Sequence, residues 1–366
     1  MTCRKETRSK HIDQTGGRRI GYAKYYRARL TEEEKAAYDC LYQGLAHFES
    51  TIRMPRMERK SLQRLSAAVD YDNPELFHVD FRQMRFISTG QSSYAEPDYL
   101  YLPDAADALR TRMEAAASNI LAQAEGMAEQ EKELYLHDYL IHHGAYGERA
   151  DRRCDAHNIR GALLDGLCVC EGFAKAFKYL CDAAHIPCIQ AVGELKDAGG
   201  RHAWNIVRIG LRTYHVDVTH DLVAGQRYAS RANFNLSDAE MLYDRTPEAL
   251  FGLPPCPVSG AMIPLIGSKQ QLTEHLRTEA GSGRLRTEVR LTRGFTMAEM
   301  ERIVFEGYAR CDLWARWISG IRYADGNRAV TVLWKEGDAA RRAAARISRA
   351  AHRVLDHVRT LQLRAA

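Results

Sequence analysis

The sequence predicts an α+β protein: a helix that starts at a cysteine and packs on an antiparallel sheet, flanked by a mixed, largely helical N-terminal segment and a small α/β C-terminal segment. Three observations carry this. The run "DGLCVCEGFAKAFKYLC" (165–181) changes from extended chain to a helical stripe at Cys170. "HAWNIVRI" and "TYHVDVT" are alternating runs on either side of Gly210, the pattern of a hairpin. Segments of helical period precede and follow them, with no internal repeat or low-complexity tract.

At 366 residues the chain exceeds one ordinary domain. Its patterning divides it into a loose basic head (1–30), a mixed helical domain (31–125), a core (126–250) and a small α/β domain (251–366) ending in a basic helix. Hydrophobic content of 45% and charged content of 27% are ordinary for a packed protein and argue against general disorder. The first residues are basic and polar with no apolar run behind them, unlike a secretory signal. No window holds the ~18 uncharged apolar residues that a membrane span needs. Nine cysteines without an export signal point to reduced thiols and a cytoplasmic location. Residues 337–366 carry seven arginines against Asp338 and Asp356, so this stretch alone accounts for the net charge of +5.

Taken in order, Thr31 followed by Glu34 is a capping box, after which Ala37, Cys40, Leu41, Leu45 and Phe48 recur at helical spacing. A second helix covers 58–69 and ends before "DYDNPE", where Pro74 pushes Asn73 out of helical angles. "LFHVDFRQMRFIS" and "YLYL" read as strands, and 103–143 as largely helical. After Cys170, the residues Phe173, Phe177, Leu180, Cys181 and Ala184 share one helical stripe, and "IPCIQAVGE" follows as a strand. Ser237 with Glu240 opens a helix at "DAEMLYD". "FGLPPCPVSGAMIP" is rich in Pro and Gly and reads as a domain boundary. Beyond it come a strand ("RTEVRLT"), a helix from Met297 to Arg310, a hairpin around Asp325-Gly326 and the basic terminal helix.

The chemistry centres on Cys170. A free thiol is mostly protonated at neutral pH, and a helix N-terminus or an imidazolium favours the thiolate. Cys170 stands where the helical stripe begins, and Gly172 leaves room for a backbone or a substrate to approach. Cys168, two residues earlier, is the alternative nucleophile, less well placed for the helix dipole. The base must come from elsewhere. A hairpin centred between Ile209 and Gly210 sets His202 directly opposite Asp217, close enough for the carboxylate to orient the ring. Tyr214, Val216 and Val218 then take one face, with His215 and Asp217 on the other.

These residues resemble the transglutaminase-like superfamily of papain-type cysteine enzymes. The matching pieces are "GLCVCEGFAKAF", "RHAWNIV" and "YHVDVTHD", in the order Cys, His, Asp, with "HDYLIHHGAYGE" and "HNIRGALLDG" upstream and "FNLSDAEML" downstream. The resemblance spans roughly residues 130–245. It implies a papain-like core with Cys170 as nucleophile, His202 as general base and acid, and Asp217 as its orienter, acting on amide bonds through a thioester. Two departures stand out. Members that cross-link proteins use an upstream Trp at the oxyanion, and here no Trp precedes Trp204. His220 occupies a position where Trp is common, which reads as a packing difference.

Other readings are blander. Cys181 and Cys188 are core positions, and His137, His142 and His143 on a helix are satisfied or solvated rings. Cys154, Cys168, Cys170, Cys181 and Cys188 lie close in sequence, but the only tight pair is Cys-x-Cys, which lacks the spacing of a structural zinc site. Asp221 reads as a structural carboxylate. The terminal stripe of Ala343, Ile347, Ala350, Val354, Val358 and Leu361 leaves the arginines on a solvated face; nucleic acid stays open there, without aromatic interleaving. The expectation is therefore a cytoplasmic cysteine hydrolase or acyltransferase for a peptide or protein, with hydrolysis preferred over cross-linking, no cofactor and no metal. The other reading is a non-catalytic interaction or scaffold protein of the same fold, for example in cell division or envelope processes.

Overall fold

The computed structural model describes residues 24–147, 154–196, 199–222, 230–281, 286–291, 316–323 and 329–336. The capping box forms as its spacing requires: Thr31 Oγ1 accepts from Glu34 N–H at 3.2 Å, Glu34 Oε2 accepts from Thr31 N–H at 3.1 Å, and α1 (Glu32–Ala46) follows. After β1 (Ile52–Pro55), α2 (Arg59–Asp72) runs past its expected end until Asn73 takes φ −129° ahead of Pro74. With β2 (Arg85–Ser88) and β3 (Ser92–Glu96), β1 makes an antiparallel sheet in the order β1-β3-β2.

Most of "LFHVDFRQMRFIS" is therefore not a strand. Leu76 N–H donates to Asn73 O and Val79 N–H to Leu76 O, and Val79 keeps a single bridge to Tyr99, the only pairing within "YLYL". Leu76, Phe77 and Val79 are all buried, so this stretch is not a one-faced strand, and Asp80 turns the chain by accepting from Arg82 N–H at 3.0 Å.

Two helices, α3 (Pro103–Gln123) and α4 (Glu129–His143), precede a short parallel pair, β4 (Ala145–Tyr146) and β5 (Leu167–Cys168). A 3-10 turn at Cys154–His157 and a π-helical turn at Gly161–Asp165 lie between these strands. Then comes α5 (Cys170–Ala183), whose Phe173, Phe177, Leu180 and Cys181 are wholly buried. Each large apolar side chain so buried contributes about 1.5–3 kcal/mol.

The helix lies across an antiparallel sheet built from β6 (Cys188–Leu195), β7 (Arg201–Ile209), β8 (Arg212–Val216) and, after the short turns α6 (Val218–Asp221) and α7 (Asp238–Met241), β9 (Arg245–Pro247). The strand order is β8-β7-β6-β9. Both faces of this sheet are covered. Trp204 and Ile206 join a core with Tyr26, Leu41 and Leu65, whereas Val207 and Val216 join one with Leu140, Phe173 and Phe177.

The hairpin register differs from the sequence expectation. Ile209 pairs with Arg212 and Asn205 with Val216, so the turn is centred between Gly210 and Leu211, one residue later than expected. Gly210 takes φ 58°, as the first position of a two-residue primed turn favours. Moving the centre by one residue shifts every pairing by two, so His202 and Asp217 are diagonal neighbours instead of direct partners. A shift of two preserves the face of every side chain, and the two still meet.

Between the two sheets that bound it in sequence, the Pro/Gly-rich stretch 251–264 has no helix or strand, yet it lies on the core: Tyr25 Oη donates to Gly252 O at 2.7 Å and Cys256 is fully buried. The C-terminal sheet, β10-β11-β13-β12, comprises β10 (Leu265–Ile266), β11 (Arg286–Leu291), β12 (Arg316–Tyr323) and β13 (Ala329–Glu336), with α8 (Lys269–Gly281) between the first two. Sequence patterning foresaw β11 and the antiparallel pairing of β12 with β13, and missed β10 and α8. Most of the basic head, the Met297–Arg310 helix, the Asp325-Gly326 turn and the basic helix at 337–366 lie outside the described residues. Among the described residues no helix is long and apolar enough to cross a membrane.

Candidate active site

Cys170 is the first residue of α5, and its position is set by what crosses there. Val169 is extended (φ −102°, ψ 179°); its N–H donates to Ala156 O at 3.1 Å and its carbonyl accepts from Phe173 N–H at 3.1 Å. The 3-10 turn passes so close to Gly172 that a Cβ there would sit 2.3 Å from Ala156 O. The first N–H groups of the helix have no intrahelical acceptor and point toward negative charge. The Cys170 thiol is half-buried and faces an open groove. Cys168, the alternative nucleophile, is fully buried, and burial pushes its thiol up. Cys181 and Cys188 are core residues with no exposure.

His202 projects from β7, and Asp217 follows β8 directly as the N-cap of α6. The ring donates from Nε2 to Asp217 Oδ2 at 2.7 Å. That leaves Nδ1 unused by Asp217, and Cys170 adjoins the ring closely enough to favour its charge. Burial disfavours charge on His202, but the attraction and hydrogen bond of Asp217 outweigh it, and with the Cys170 contact they hold the imidazole up at about 9. Burial likewise disfavours charge on Asp217, yet His202, His220 and Arg245 together hold that carboxyl well below its usual range. The three residues singled out by sequence are thus brought together, with Asp217 wholly buried and His202 5% exposed.

Sequence reasoning missed the cation behind them. Arg245, 1% exposed on β9, donates from Nη1 to Asp217 Oδ2 at 2.5 Å, from Nε to Asp244 Oδ1 at 2.8 Å and from Nη2 to His220 Nδ1 at 3.0 Å. His220 stacks on His202 with ring centroids 4.4 Å apart and planes at 14°. Its place in the sequence marked it only as a packing difference, and "YDRTPE" looks like an ordinary surface turn. Beside the thiol, Glu171 accepts from Lys175 Nζ at 2.7 Å and from His157 Nδ1 at 3.0 Å, and Lys175 also reaches Asp70 at 2.7 Å. His137 lies away from this site, wholly buried between Asp138 and Asp221 at 3.0 Å each, and Asp221 also accepts from Asn233 N–H at 2.8 Å.

The groove encloses ≈ 1950 Å³ between α2, the β2 region, the start of α5 and β7. This is larger than the about 300–1,000 Å³ typical of small-molecule sites. Phe81, Phe86, Tyr71, Arg201 and Glu248 are among the residues that line it.

Two groups among the described residues have metal-ligand spacing, His202/Asp217/His220 and His215/Asp238/Cys256. Their hydrogen bonds oppose a cation at either place. In the first, the Arg245 guanidinium already binds both Asp217 and His220. In the second, Trp204 Nε1–H donates to His215 Nδ1 at 3.0 Å, so the neutral ring carries its proton on Nε2, facing Asp238 at 2.9 Å. Ligation through Nε2 would need an imidazolate.

No curated protein matches the chain. Among solved structures, a TGase aligns at 13% identity over 48% of this chain and 52% of its own, with a TM-score of 0.29. A candidate cysteine protease from Cytophaga hutchinsonii aligns at 15% identity over 37% and 61%, with a TM-score of 0.26. A candidate protease from Parabacteroides distasonis ATCC 8503 aligns at 9% identity over 71% and 62%, with a TM-score of 0.29. The chain thus spans about half to three-fifths of the length of these three. The model of the Transglutaminase-like superfamily matches residues 114–218, which run from within α3 through α5 and the hairpin and include Cys170, His202 and Asp217. This chain carries a domain of the transglutaminase-like superfamily.

Proposed function

We propose that the protein is a cysteine hydrolase that cleaves amide bonds in a peptide or protein through a thioester, with Cys170, His202 and Asp217 as its triad. The observation that carries this reading is the half-buried Cys170 thiol at a helix N-terminus, beside a His202 ring that Asp217 holds at 2.7 Å, on the wall of a polymer-sized groove.

His202 takes the thiol proton through Nδ1 while Nε2–H stays on Asp217, and the sulfur attacks the amide carbon. The carbonyl electrons move to oxygen, where the N–H groups at the start of α5 are the first donors. As the tetrahedral species collapses, the C–N bond breaks and His202 gives its proton to the departing amine. Water then enters, loses a proton to His202 and attacks the thioester; the acid leaves and the proton returns to sulfur. Water needs little access, whereas a lysine acceptor needs a shaped channel. The absence of any Trp before Trp204 weighs against cross-linking.

The test is a peptide-amide panel incubated with and without a primary amine, with products identified by mass. Release of ammonia or a new amine end without added amine, abolished in Cys170→Ala, is the expected result. Product that forms only with amine, as an isopeptide, reverses the choice of acceptor. No turnover of any substrate, with Cys170 inert to alkylation, favours the scaffold reading.

A further inference from the structure

His220 and Arg245 perform no step in the reaction above, yet both touch its acid–base pair. His220 stacks face to face on His202 at 4.4 Å. Two imidazolium rings so placed would repel, so the charge on His220 decides whether His202 holds a proton easily. The hydrogen bonds determine that charge. Arginine has only donors, and Arg245 Nη2 lies 3.0 Å from His220 Nδ1. Asp217 Oδ2 lies farther from Nδ1, at 3.3 Å, and is itself bound by Arg245 Nη1. The nearer neighbour can only donate, so Nδ1 accepts, which makes the ring neutral with its proton on Nε2. The arrangement is held firmly at both ends. Asp217 Oδ1 accepts from His220 N–H at 3.1 Å, and the guanidinium is pinned by Asp244 and Asp217 with its carbon 5.3 Å from the centre of the Trp204 ring.

We propose that Arg245 is a positioning residue that keeps His220 a neutral Nε2–H ring, so that the stacked pair carries its single positive charge on His202, beside the thiol. This rests on the reading of Cys170 and His202 as a reacting pair. Among the described residues, the titratable and charged groups facing the two rings include Cys170 from α5, Asp217 just after β8, and Asp244 and Arg245 at the entry to β9. Burial is the largest influence on His220; against the pull of Asp217, and aided by His202 and Arg245, it holds this ring down at about 4.

The direct test is nitrogen NMR of histidine-labelled protein between pH 5 and 8, with the His220 signals assigned by their loss in His220→Phe. The expected pattern is an unprotonated Nδ1 and a protonated Nε2 that do not titrate. A protonated Nδ1, or a ring that titrates across this range, overturns the proposal. Because this readout needs no turnover, it stands apart from any failure of the proposed reaction. A second test follows the pH profile of Cys170 alkylation by iodoacetamide. Arg245→Gln frees His220 to titrate and should add an inflection between pH 5 and 7 that wild type lacks. The Arg245→Gln/His220→Phe double variant should remove it. An unchanged profile in folded Arg245→Gln, or an inflection that survives in the double variant, contradicts the assignment. Should Arg245→Gln fail to fold, the wild-type spectrum decides alone.

Discussion

Substituting Gly172 by alanine tests how the protein aims its thiol. An added Cβ would meet Ala156 O at 2.3 Å and Cys168 Cβ at 2.9 Å, and the first of these is backbone that no rotamer change can move. Opening that contact to the 3.0 Å that real Cβ atoms respect displaces the first turn of α5, or the turn crossing it, by about 0.7 Å. Overpacking of this kind costs about 1–3 kcal/mol. The effect on chemistry should be larger. Cys170 lies two residues from the clash, and a misplacement of about 1 Å at a reacting group costs on the order of 10²-fold in rate. The assay pairs urea unfolding with iodoacetamide alkylation of Cys170 at pH 7, read by intact mass, and with turnover of the peptide-amide panel. The expected outcome is a lowered unfolding midpoint, slower alkylation and turnover reduced about 100-fold. A variant with wild-type midpoint and wild-type rates would refute the claim that this crossing sets the position of Cys170. Lost stability with unchanged rates would show that the crossing is structural only.

Three further outcomes follow from the same geometry. At pH 6–7 iodoacetamide should modify Cys170 before Cys40, Cys168, Cys181, Cys188 or Cys256, and His202→Ala should slow that modification; faster labelling of Cys168 would move the nucleophile. Asp217→Asn should slow Cys170 alkylation, because His202 loses the carboxylate that counters its burial, while Asp221→Asn, which faces His137 instead, should leave it within about twofold; equal effects of both would deny Asp217 a specific role. Glu133 is wholly buried with Oε1 unpartnered, and burial, against the Asn235 hydrogen bond, raises its carboxyl to about 8. Its folded value lies above its unfolded one, so the stability it contributes is full below pH ~4.5 and is lost as pH rises through 8. Glu133→Gln keeps the neutral shape and should narrow the fall in urea midpoint between pH 5 and 8; an unchanged fall would place the cause elsewhere, for example at His137, which is held up at about 9.

Local order in the chain made much of the candidate site legible. The helical stripe behind Cys170 placed the cysteine at a helix start, and strict alternation put His202 and Asp217 on a common face. Face parity survives a register error of two, which is why the pair was found although its expected pairing was not the observed one. Capping at Thr31 was readable for the same reason: it depends on residues three apart. Where a stretch is buried throughout, as at Leu76, Phe77 and Val79, period says little, and turns appeared where a strand was expected.

The sequence by itself determined the kinds of groups, their order along the chain and the faces they share, because these are properties of neighbouring residues. Only the tertiary structure decided the hairpin register, which the left-handed φ of Gly210 sets through the geometry of the turn. It alone brought Arg245 to Asp217 from 28 positions away, and it alone closed the groove with Phe81 and Phe86, far upstream of Cys170. Such contacts have no period or spacing to read. They exist because a buried Asp217 requires a cation, and packing of the sheet determines which arginine is near enough to supply it.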